Sequence, residues 1–218
     1  VKHLLLVPFL LAACFVFGQG SVVLSDRPFQ VDRKPDTAVL GRLERQIGYG
    51  AIHSRGKEMF YWINLMRKDP SAFQARYVKP FLDQFPEAES KEANALAREM
   101  QATNTLPELQ ISNKLMGPAQ EQASFLAQKG SLSHNGRGGK GFQKRMEEAG
   151  VENCAGENLF DGQDDALMGL ILLLIDKGVP GAGHRVALLN PQFREMGIGI
   201  SYMTGNRLVV VQQFSCKQ

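Results

Sequence analysis

A chain of 218 residues, 44% apolar and 22% charged, has room for one globular domain with extensions. Its formal net charge of +3 is small, and no basic run is interleaved with aromatics, which argues against a nucleic-acid partner or an anionic membrane surface. The three cysteines lack CxxC or zinc-ribbon spacing, so no structural zinc site is expected.

Lys2 and His3 precede an apolar stretch from Leu4 to Phe17, the length of a signal-peptide core and too short to span a bilayer as a helix. The small residues Val16 and Gly18 place cleavage after Gly18, making residues 1–18 a signal peptide and the protein secreted or periplasmic. A lipobox-like Leu11-Ala12-Ala13-Cys14 is the rival, with a lipid anchor on Cys14; the apolar run continuing through Phe15-Val16-Phe17 argues against it. Either route removes Cys14 from the thiol count. In an oxidising compartment Cys154 and Cys216 are then expected to pair, two unpaired buried thiols being the alternative.

Residues 19–53 are polar, carry Pro28 and Pro35, and read as an N-terminal linker with weak helical character near Thr37 to Gln46. The domain begins at residue 54. Met59, Ile63 and Met66 recur at helical spacing beside Trp62, and Asp69-Pro70 breaks the helix. A second piece runs from Ser71 to Tyr77, and Lys79 to Pro86 reads as a proline-marked loop. Ser90 caps a helix to about Thr103. Ser112 and Gly130 bound another, with Leu115, Ala119, Gln122 and Leu126 on one face. The glycine-rich SLSHNGRGGKG follows as a connector, then a short helix from Phe142 to Ala149.

CAGENLF reads as a strand, and DDALMGLILLLI as a buried helix too short to cross a membrane, so the mature protein is expected to have no transmembrane span. HRVALLNP reads as a helical turn. MGIGISYM and RLVVVQQF read as strands around the hairpin signal Thr204-Gly205-Asn206. Helices first, then strands interleaved with helices, predict an α+β domain with a small, largely antiparallel sheet.

Four polar groups stand out. His134 follows a helix-ending glycine, Glu157 interrupts a strand, Asp176 ends the long apolar run, and His184 opens a turn behind Gly-Ala-Gly. Two imidazoles and two carboxylates can bind a divalent metal or exchange protons. Taken singly, each has a plainer reading: packing for the histidines, solvent for Glu157, the following turn for Asp176. No HExxH or G-x-S-x-G is present, and spacing alone does not force the four together.

INLMRKDPSAF, LAQKGSLSHNG, GENLF and GHRVALLNPQFREMGIGI, in that order, resemble the CAP superfamily of cysteine-rich secretory, antigen 5 and pathogenesis-related proteins, also called SCP-like domains, and its bacterial branch in particular. The resemblance covers about Lys57 to Cys216 and assigns residues 54–218 to the domain. It implies a three-layer α-β-α sandwich whose central cleft often carries two histidines and two acids. His134, Glu157 and His184 match three of these. The family's Trp-x-x-Glu segment is missing, since Trp62 is the only tryptophan, and Asp176 is the nearest candidate for the fourth position. The Gly-Ala-Gly loop would bring His184 over the sheet opposite Glu157. If CAGENLF and VVVQQFSC are neighbouring strands, a Cys154–Cys216 bridge would pin them together.

By the same resemblance the protein is expected to be a binding module for a protein or lipid partner. Its cleft would be able to hold a divalent metal, zinc first, on His134, His184 and Glu157. A metal-assisted hydrolase with Glu157 as general base is one alternative, and a scaffold or lipid binder with a vestigial cleft another.

Overall fold

A computed structural model of the chain describes residues 24–216 apart from 26, 152 and 153. The expected signal peptide and the Cys14 anchor lie outside the described residues. Helix α1, Thr37–Glu44, starts where Asp36 accepts the Val39 N–H at 2.9 Å. Helix α2, Ser54–Lys68, buries Met59, Trp62, Ile63 and Met66. Asp69 closes α2 and caps α3, Pro70–Phe73, through the Ala72 N–H.

A π-helical turn, Gln74–Val78, then runs directly into α4, Lys79–Gln84. The loop expected over Lys79 to Pro86 is therefore helical as far as Gln84. Pro80 is tolerated because it sits in the first turn of α4, just after the wide π turn, where a missing N–H costs little. Helix α5, Lys91–Ala102, is capped by Ser90 as expected.

A two-residue strand, β1 (Gln110–Ile111), precedes α6, Asn113–Lys129, which Gly130 ends in the left-handed region at φ 73°. Then come α7 (Phe142–Glu148), β2 (Ala155–Gly162), α8 (Ala166–Ile175), α9 (Gly183–Leu189), β3 (Glu195–Met203) and β4 (Arg207–Ser215). The sheet order is β1-β3-β4-β2, antiparallel except for the parallel β1–β3 pair. At two residues, β1 is too short to leave a period in the sequence.

Alternation along β4 sorts the layers. Val209 and Val211, with Leu159 of β2, pack against Ala119, Ala123 and Leu126 of α6. Leu208, Val210 and Phe214 turn to the larger core shared with α2 and α8. The fold is thus α+β, a three-layer α-β-α sandwich. α6 lies close on β3 because Gly197 and Gly199 have no Cβ; one there would run into the backbone of Leu115 and Ala119. Beyond the short β1, the Gln120 side chain continues the ladder, donating to Ile200 O at 2.9 Å and accepting from its N–H at 3.1 Å.

The described part of the segment read as a linker packs on the domain. Phe29, Val39, Leu43, Tyr49 and Ile52 are buried, and the Phe29 ring meets Phe81 edge-on at 5.4 Å. Gln30 and Gln84 exchange two hydrogen bonds, and Arg33 grips both oxygens of Asp165. These side chains are what turn a polar, proline-bearing stretch into part of the core layer.

Cys154 and Cys216 form a disulfide with their Cα atoms 5.6 Å apart, next to the Ala155–Ser215 pair that starts the β2–β4 ladder. No single helix among the described residues is long and apolar enough to cross a membrane. α8 is apolar throughout because it is buried in the core.

Candidate functional site

Glu157 and Asn158 are consecutive on β2, so their side chains leave opposite faces of the sheet. Since β2 is an edge strand, the polar groups they organise flank that edge. Gly156, just before them, keeps the approach open: a Cβ there would sit 3.0 Å from the Phe193 ring.

On the α6–α7 face, Glu157 lies beside Gln213 of β4. Its side chain is 1% exposed. Oε1 receives His134 Nδ1 at 3.0 Å and Arg145 Nη2 at 2.8 Å; Oε2 receives the same Nη2 at 2.8 Å and Gln213 Nε2 at 2.9 Å. Three donor groups, His134, Arg145 and Gln213, converge on the carboxylate. The loop carrying His134 is tied at two carbonyls, Ser133 O by Gln122 Nε2 at 2.8 Å and His134 O by Arg145 Nη2 at 3.1 Å. Gly136 lets this loop close on α7; a Cβ there would fall 2.9 Å from Arg145 Cδ.

On the other face, Asp176 is 1% exposed at its side chain and ends α8 in the left-handed region at φ 58°. Its Oδ1 meets His184 Nδ1 at 2.6 Å, and its Oδ2 accepts the His184 N–H at 2.9 Å. The plainer reading of Asp176, as a partner of the turn after it, describes the same contacts. Asn158 Nδ2 donates to His184 O at 3.2 Å and to Gln212 Oε1 at 3.1 Å, so the neighbour of Glu157 supports the second histidine. The bend before His184 is made by Gly181 at φ 74° and Ala182 at φ 48°. Gly183 is already helical.

The four residues therefore assemble as two hydrogen-bonded pairs, His134–Glu157 and His184–Asp176. In each, the carboxylate meets the imidazole at Nδ1, which fixes the orientation of the ring. The imidazole side chains keep 22% and 19% of their surface exposed while the acids are sealed.

A metal ion held by His134, His184 and Glu157 does not fit this arrangement. Both oxygens of Glu157 already face the Arg145 guanidinium, which repels a cation. Among the described residues no group of three or more His, Cys, Asp or Glu could hold a metal.

Arg145, Gln213 and Asn158 escaped the sequence reading. Arg145 is one polar residue among several in FQKRMEE and carries no linear mark. Gln212 and Gln213 did leave a signal: two consecutive amides in the apolar run VVVQQF, one per face, announce a polar partner on each side of the sheet.

The profile of the CAP family, the cysteine-rich secretory protein family, matches residues 60–214. The chain belongs to the CAP family. Among solved structures it is similar to an extracellular protein containing an SCP domain from Bacillus anthracis strain Ames, at 23% identity and TM-score 0.41, covering 51% of this chain and 35% of that one. An outer surface protein from Borrelia burgdorferi is 22% identical with TM-score 0.43, covering 57% of this chain and 89% of that one. The chain thus spans about a third of the length of the Bacillus protein. No curated protein matches it. In this CAP domain, the two histidines and the Glu157 of the GEN motif that carried the resemblance lie in the two pairs.

Proposed function

We propose that this CAP domain is an exported binding module whose partly exposed imidazoles, His134 and His184, contact a protein or lipid ligand. The observation that carries this is the use of both acids. Glu157 and Asp176 are buried and spent on holding the imidazoles, so the part of each pair that a ligand can reach is its imidazole. A general base must be free to take a proton from water or substrate; Glu157, buried beneath His134, Arg145 and Gln213, is not. Export is supported by the apolar leader and by the disulfide, a bond suited to an oxidising compartment.

The test compares the oxidised protein with a His134→Ala, His184→Ala double variant of unchanged unfolding midpoint. Retention of the wild type on sterol-containing phosphatidylcholine vesicles, or on a partner from the extracellular fraction, is expected to be lost in the variant. Equal retention of both would remove the imidazoles from the ligand site. Turnover of any member of a peptide and ester library, abolished by Glu157→Gln, would replace the binding reading with a hydrolase. Calorimetric titration with zinc is expected to show no tight one-to-one binding, and a saturable site lost in the double variant would restore the metal reading.

A further inference from the structure

Arg67 is the most deeply buried charge in the described structure, at 0% exposure on α2. Among the described residues no carboxylate meets it. Instead its guanidinium donates to four backbone carbonyls: Nε to Pro107 at 2.9 Å, Nη1 to Leu188 at 2.8 Å and Asn190 at 3.1 Å, and Nη2 to Phe193 at 3.1 Å. Burial, with a smaller contribution from nearby Arg194, pulls its pKa down to about 10. It is still a cation at neutral pH. A buried cation without an anion is costly, and plain apolar packing would fill the same space at less cost. Its partners show what the charge does.

The four carbonyls belong to three separate segments: the stretch before β1, the end of α9, and the approach to β3. Nη1 takes Leu188 O and Asn190 O at the C-terminal end of α9, where helix carbonyls lack intrahelical partners. At the other end of the same seven-residue helix, Asp176 Oδ2 accepts the His184 N–H at 2.9 Å and lies 3.4 Å from that of Arg185. A negative group at the first turn and a positive group at the last both match the helix dipole. A helix this short has little stability of its own. It is held at both ends by side chains from α2 and from the end of α8.

We propose that Arg67 is the positioning residue for His184, holding the far end of α9 so that the imidazole stays in register with Asp176 at its near end. The planar guanidinium can satisfy all four carbonyls at once only when α9, the β3 approach and the segment before β1 sit at one fixed separation. Removing it frees the C-terminal turn of α9, while the first turn stays held by Asp176, by Asn158 at His184 O and by Arg185, which reaches Glu92 O and Glu99. This rests on the reading of His184 as ligand-facing. Its test reads the imidazole without any ligand, so the two stand or fall separately.

The experiment is long-range proton–nitrogen NMR of the histidine rings in the oxidised protein, with amide hydrogen exchange alongside. In the wild type, His184 is expected to show the widely split nitrogen shifts of a single Nδ1–H tautomer. In Arg67→Met those shifts move toward each other, and the Leu188 and Leu189 amides exchange at least about tenfold faster. His134, on the opposite face, and the α6 amides stay as they were. A merely structural role would loosen both faces together. A folded Arg67→Met with His184 unchanged would overturn the proposal, as would equal changes at His134 and His184. Should Arg67→Met fail to fold, Arg67→Lys decides. Lysine keeps the charge without the fork, so a partial shift of His184 alone is expected, and an unmoved His184 overturns the proposal.

Discussion

Glu157 shows how much one residue can be asked to hold. Among the described residues its carboxylate is the only anion that Arg145 contacts, and it orients His134 at the same time. Glu157→Gln would leave the guanidinium, 11% exposed, without a counter-charge. Breaking a buried ion pair from one side costs about 3 kcal/mol or more, so a drop of that size is expected in guanidinium chloride unfolding. A drop below about 1 kcal/mol would mean that water replaces the lost charge. Asn158→Ala is expected to act on the other face, withdrawing the donor from His184 O at a cost of about 1 kcal/mol, and to leave the His134 ring signals in place. The opposite pattern would show that the two pairs communicate through β2.

Two elements make predictions of their own. The contact of α6 with β3 depends on absent side chains, so Gly199→Ala must push α6 outward or bend the strand. Overpacking of this kind costs about 1–3 kcal/mol, measurable as a lower unfolding midpoint. Because α6 carries Gln122, which ties the His134 loop, the His134 ring signals are expected to shift with it.

Helix α1 carries a pH dependence at its cap. The Lys68 ammonium and then the Val39 N–H hold the Asp36 carboxyl below its ordinary 3.8. A depressed folded value means that the stabilisation is complete above the unfolded value and is lost as pH falls through the lower, folded one. Asp36→Ala is therefore expected to cost about 1 kcal/mol at pH 6. The difference from wild type should shrink as the pH drops below 3.8. A difference that stays constant down to pH 2 would show that the cap contributes through shape rather than charge.

At the scale of the whole molecule, the disulfide closes a separation of 62 residues around β2, α8, α9, β3 and β4. The chain-entropy relation gives a loop of that length a stabilisation of about 4 kcal/mol. Reduction is expected to lower stability by that order in urea unfolding, while the fold and both imidazole pairs persist at neutral pH. Loss of the His184–Asp176 signature on reduction would show that the bridge also sets the site, beyond constraining the unfolded chain.

Much of the architecture was legible in the residues, for local reasons. Helical spacing marked α2, Ser90 and Gly130 marked helix ends, and Thr204-Gly205-Asn206 marked the hairpin between β3 and β4. What local signals mishandled were places where a long-range contact sets the outcome. Pro80 reads as a loop residue until the π turn before it is seen, and the 19–53 segment reads as a linker until Phe29 finds Phe81. The candidate histidines and acids could be named from motif order, since imidazole and carboxylate are rare enough at such positions to be noticed.

Their grouping was decided only by the tertiary structure. A strand sends consecutive residues to opposite faces, so Glu157 and Asn158, adjacent in the sequence, serve different histidines. Arg145 and Arg67 are ordinary helical cations until folding buries them, and burial is what makes a charge commit to particular partners. Residue types and local periods determined which elements form and which groups are available for chemistry. The packing of α7, α8 and α9 around the edge of β2 determined which groups meet, because hydrogen bonds and ion pairs act over about 3 Å while the residues that make them lie tens of positions apart.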